Sequence, residues 1–114
     1  MSLLWISAAL MGVTAITHSW LGEVKLVGPM LRGRSGVLRN DFARVIVRYA
    51  WHVTSALMLA SALTISWPGA PRDLVRAIGG IWIALGLVSL VASRAKHVGW
   101  PILGLAGIMA VIGA

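Results

Sequence analysis

Three histidines, at positions 18, 52 and 97, are the side chains here best suited to chemistry, and each lies close to a tryptophan. His18 is two residues before Trp20, His52 one after Trp51, and His97 three before Trp100. At helical rise these offsets put all three imidazoles within roughly 5 Å of one plane. Neutral imidazole is a common ligand of metals and haem. Two histidines on antiparallel helices at matching depth would supply the axial ligands of a b-type haem, with Arg44 or Arg48 pairing its propionates. A divalent ion would draw on His18, His52, His97 and Glu23, whereas a quinone or an anionic lipid headgroup needs only His and Arg donors.

The neighbours of two of these histidines are polar at helical spacing. Arg44, Arg48, His52 and Ser55 follow one another by four, four and three residues, which makes one stripe along a helix. Thr14, His18 and Lys25 form a comparable stripe, with Glu23 turned about 140° away from His18 if the helix continues. Ionisable groups at membrane depth face the bundle interior, because lipid exposure costs up to about 3 kcal/mol. The pattern predicts an interior pocket of Thr14, His18, Arg44, Arg48, His52 and Ser55. No nucleophile, base and acid set accompanies it, so a binding or accessory role is expected ahead of catalysis.

Composition identifies the elements that must carry these residues. The chain has 114 residues, 59% apolar and 11% charged, with mean hydropathy +0.89 and no cysteine. Ten Lys or Arg and three Asp or Glu are too few to cover a soluble protein of this size. A soluble enzyme, a disordered tail, a disulfide scaffold and thiolate metal sites are all excluded. Lipid is the expected solvent. Net charge +7 would suggest nucleic acid elsewhere, but the basic residues flank apolar runs and form no base-stacking surface.

Four apolar runs approach the roughly 20 residues that a helical span requires: 3–21, 45–67, 74–93 and 98–113. Spans must be helices, because an open sheet leaves backbone groups unpaired in lipid. The expected fold is all-α, an integral membrane four-helix bundle forming a single domain over residues 1–114. Gly28-Pro29, Gly33 and Gly36 should break the first helix, Asn40 or Asp41 should cap the second, and Pro68-Gly69-Ala70-Pro71 should turn tightly. The connection Arg94 to His97 is short enough to make the third and fourth helices antiparallel neighbours.

Eight basic residues flank the first and third connections and two, Arg72 and Arg76, the second. Positive charge stays in the cytoplasm, so both termini are expected outside, in a bacterial inner membrane. The N-terminus lacks a basic signal-peptide region, so the first helix should be retained. Trp5 and Trp20, then Trp51 and Trp67, are separated by roughly 22 and 24 Å along their helices, matching two interfacial belts with Trp20, Trp51 and Trp100 at the cytoplasmic one. Small residues at Ala8, Gly12, Ala15, Ser19 and Gly22, at Gly79, Gly86, Ser89 and Ser93, and at Gly104 and Gly107 offer faces for close helix approach. The basic loop at 28–39 reads as topogenic charge or an anionic-lipid contact, and it lacks a P-loop ending. Four short helices enclose little volume, so a homo-oligomer or a subunit of a larger membrane complex is expected.

Some of these segments resemble known families. His18-Ser19-Trp20-Leu21-Gly22 is similar to the His-x-x-x-Gly segment of succinate dehydrogenase membrane-anchor subunits, a likeness that implies haem b at His18. Residues 18–29 and 48–55 resemble segments of uncharacterised small four-helix bacterial inner-membrane proteins. Length and helix count are similar to the small multidrug resistance transporters. That family's carboxylate in the first helix is replaced here by Thr14 and Ala15, which argues against proton-coupled export.

Overall fold

A computed structural model describes residues 2–114, and these form four helices with no strand among them. Helix α1 runs Leu3–Arg32, α2 Asp41–Ser66, α3 Arg72–Ala92 and α4 Gly99–Gly113. The first three are long and apolar enough to cross a membrane, and the fourth, at 15 residues, is shorter than a full span. Ser2 caps α1, its Oγ accepting from the Trp5 N–H at 3.4 Å. Asn40 caps α2, its Oδ1 accepting from the N–H groups of Phe42 and Ala43 at 2.8 and 3.3 Å.

The expected break at Gly28-Pro29 does not occur, and α1 exceeds its predicted end at Leu21 by three turns. Residues Glu23–Val27 widen into a π-helical turn, and the Gly28 N–H reaches back five residues to the Glu23 carbonyl. Proline in a regular helix collides with the carbonyl four residues earlier, and a widened turn makes room for Pro29 to continue the helix. Glycine is needed beside it, since a Cβ at Gly28 would stand 2.6 Å from the Glu23 carbonyl oxygen. The helix ends only at Gly33, where the backbone becomes extended.

Pairing follows the order α2, α1, α4, α3, with α2 and α3 meeting little. Between α3 and α4 the backbones nearly touch: a Cβ on Gly79 would lie 2.8 Å from the Gly107 carbonyl oxygen, and one on Gly86 2.9 Å from the Gly104 nitrogen. These positions bear out the small-residue faces, whereas a Cβ on Gly12 would meet nothing within 4 Å. All four helices contribute to one core, with Ala8 and Met11, Ala62 and Ile65, Val75 and Trp82, and Ala106 and Ala110. Trp82, 3% exposed, is a core residue.

The two chain ends and the 67–71 turn share one end of the molecule, where Leu4, Trp67, Gly69 and Ala114 line a common groove. In that turn the Ala70 N–H bonds the Trp67 carbonyl at 3.1 Å and Gly69 has φ 80°, the type II geometry expected of Pro-Gly. The core lies nearer this end. At the opposite end α1 and α2 continue together as a two-helix hairpin, within an overall length of 47 Å.

Candidate functional site

Helix α1 passes α2 in the antiparallel sense, so successive residues on α1 meet α2 in reverse order. The His18 Nδ1 is 2.8 Å from the Ser55 Oγ, and the His52 Nδ1 is 2.9 Å from the Ser19 Oγ. Each imidazole is thus held by the serine of the other helix. The His52 Nε2 lies 3.2 Å from Glu23 Oε2, and the other oxygen of that carboxylate is 2.8 Å from Arg48 Nε. A neutral His52 that donates to Glu23 from Nε2 accepts from Ser19 at Nδ1.

On the far side of the helix pair, His18 stacks on Trp51 with ring centroids 4.3 Å apart and planes 5° from parallel. The indole N–H donates to the His18 carbonyl at 2.9 Å. Gly22 makes this seating possible, because a Cβ there would fall within the Trp51 indole. Trp51 consequently packs between the two helices.

The structure brings together His18, His52, Ser55 and Arg48 of the predicted set and leaves others out. Thr14 bonds only the Leu10 carbonyl of its own helix, at 2.6 Å. Arg44 donates to the Leu31 carbonyl and so closes the end of α1 instead of entering the site. His97 stays in its own turn, with Nδ1 3.1 Å from the Ser89 Oγ and accepting from the Gly99 N–H at 3.1 Å. Glu23, expected to point away, is central. The α1 face that meets α2 runs between His18 and Ser19, and Glu23 follows Ser19 by four residues, only about 40° round the helix. Lys25, placed on the His18 stripe by spacing, is exposed. Ser19 and Trp51 are the site residues that the polar stripes did not include, and antiparallel matching of 18–19 against 52–55 is the signal that would have found them.

Among the described residues no three of His, Cys, Asp or Glu come together to hold a metal ion, so the set His18, His52, His97 and Glu23 is not assembled. Nor do His18 and His52 face each other across a gap, as axial haem ligation requires. Their Nδ1 atoms are occupied by serines and the His52 Nε2 by Glu23.

What the pair of helices does form is an open groove of about 530 Å³. Ser19, Glu23 and His52 lie at one end with their polar atoms bonded to one another, Ala15, Ile16, Ala56 and Leu59 line the apolar walls, and Trp20 the rim. Ser7, which bonds the Ala106 carbonyl of α4 at 2.6 Å, lies about 120° round α1 from Ser19, so the groove opens on the flank turned away from α4. The pocket is therefore lateral, where an interior one was expected. No family model, curated protein or solved structure matches this chain.

Proposed function

We propose that the chain is a multi-pass membrane protein that binds an amphiphile of the lipid phase, with a quinone-like hydrogen-bonding head, in the lateral groove between α1 and α2. One observation carries this reading: the groove has almost wholly apolar walls over the two turns leading to Leu59 and ends at the Glu23 carboxylate. A ligand with a hydroxyl head, as in a reduced quinone, would donate to the Glu23 carboxylate, which His52 and Arg48 hold in place, and lay its tail along Ala15, Ala56 and Leu59 toward the bilayer centre. Residues 25–48 and the 93–98 connection hold eight of the ten Lys and Arg residues, which supports a cytoplasmic location for that end. Electron transfer would need a cofactor held elsewhere in an assembly, so the chain itself acts as a binding or accessory subunit, alone or as a homo-oligomer.

Titration of the purified protein in mild detergent with a reduced quinone tests this, read by quenching of Trp20 at the rim. Saturable quenching is expected, and Glu23→Leu should weaken it about five- to thirtyfold, the worth of one lost hydrogen bond in an apolar medium. No saturation, or equal affinity in Glu23→Leu, removes the ligand. A structural reading has its own support, since no buried side-chain nitrogen or oxygen lacks a partner among the described residues. In that case the reciprocal His–Ser bonds fix the register of α1 on α2, and His52→Leu lowers stability with no ligand to lose.

A further inference from the structure

The α1–α2 hairpin beyond the core has two properties that the groove does not use. The first is charge. Only two acids lie there, and both are already paired: Glu23 with Arg48, and Asp41 with Arg34 at 3.0 Å. Arg44 is turned onto the Leu31 carbonyl. Lys25, Arg32 and Arg39 are exposed and have no acidic partner among the described residues.

The second property is an apolar face on the same hairpin. Phe42, Val45, Ile46 and Tyr49 recur at the spacing of one helix face over the first two turns of α2, and their exposures are 72, 63, 46 and 68%. Arg48 and His52 point the other way, toward α1. Val37, in the 3₁₀ turn Gly36–Arg39, is 77% exposed on the same arm. A hairpin that carries both an exposed apolar face and unpaired cations suits the boundary between headgroups and acyl chains, where both are satisfied at once.

We infer that this hairpin is an anionic-phospholipid site, with Lys25, Arg32 and Arg39 on headgroup phosphates and the Phe42–Tyr49 face against the acyl chains. Charge complementarity selects the occupant. The site is separate from the groove, so its test is independent of the quinone titration.

Delipidated protein in detergent, offered phosphatidylglycerol and phosphatidylcholine in equal amounts, should retain phosphatidylglycerol preferentially by native mass spectrometry. Replacing Lys25, Arg32 and Arg39 together by Gln should reduce the preference at least about tenfold, since each cation near an anionic surface contributes roughly fivefold. The pair Arg72→Gln and Arg76→Gln, at the opposite end, should leave it unchanged. If the triple variant misfolds, unaltered protein at about 0.5 M salt supplies the same test, because screening should erase a preference held by exposed charges. Equal retention of the two lipids, a preference insensitive to salt, an equal loss in the Arg72 and Arg76 pair, or displacement of the lipid by inorganic phosphate would each overturn the proposal. So would retention of an acidic protein in place of phosphatidylglycerol when both are offered.

Discussion

Gly22→Ala separates the α1–α2 contact described here from a generic pairing of small residues. In an isolated helix the substitution is favourable, by about 1 kcal/mol of helix propensity. In this molecule the new methyl group would occupy the space of the Trp51 indole. Displacing Trp51 loses its stack on His18, about 0.5–1.5 kcal/mol. It also loses the indole bond to the His18 carbonyl, about 1 kcal/mol, and forces repacking that costs about 1–3 kcal/mol. Steric and bonding losses exceed the propensity gain, leaving a net destabilisation of about 1.5–4.5 kcal/mol. Titration of the folded protein in mixed micelles with sodium dodecyl sulfate, followed by far-ultraviolet circular dichroism, measures this. Gly12→Ala is the control, because a Cβ there meets nothing and only the propensity gain remains. If Gly22→Ala proved as stable as Gly12→Ala, Trp51 would not be seated over Gly22 and the geometry at His18 would be wrong.

Gly107→Val should be more damaging than Gly22→Ala, because a Cβ there lies 2.5 Å from the Gly79 carbonyl oxygen and backbone cannot swing aside as a side chain can. The same micelle titration should show α3 and α4 failing to pack. Ser7→Ala removes a buried bond to the Ala106 carbonyl, but that carbonyl belongs to a helix and keeps its own partner, so the loss should be near 0.6 kcal/mol. Glu23→Gln breaks the charge pair with Arg48 while keeping an acceptor for His52. With Arg48 half exposed, unfolding should shift by less than about 1 kcal/mol, and the effect should appear instead in ligand affinity.

The site was legible in part. His18, His52, Arg48 and Ser55 could be grouped because helical spacing aligns residues three and four apart on one helix, and spacing is a property of sequence. Which face of α1 meets α2 is not. It was drawn through His18, whereas the contact runs between His18 and Ser19, and a rotation of a few tens of degrees brought Glu23 in and left Thr14 and Lys25 out. Arg44 departed for another reason. The helix it was to accompany continued past Pro29, and its last turn presented a carbonyl that needed a donor.

Composition alone determined that this chain is helical and apolar and that its basic residues gather at one end, because these follow from residue type and local period. The turns at 67–71 and the cap at Asn40 were equally local. Tertiary packing decided the rest. A π turn absorbed a proline that local rules would have made a terminus, Trp51 was seated on His18 through the space left by Gly22, and the three histidines were divided among separate partners. Depth is set by position along one helix, but contact depends on the rotation of two, and that is fixed only when side chains from both compete for the same volume.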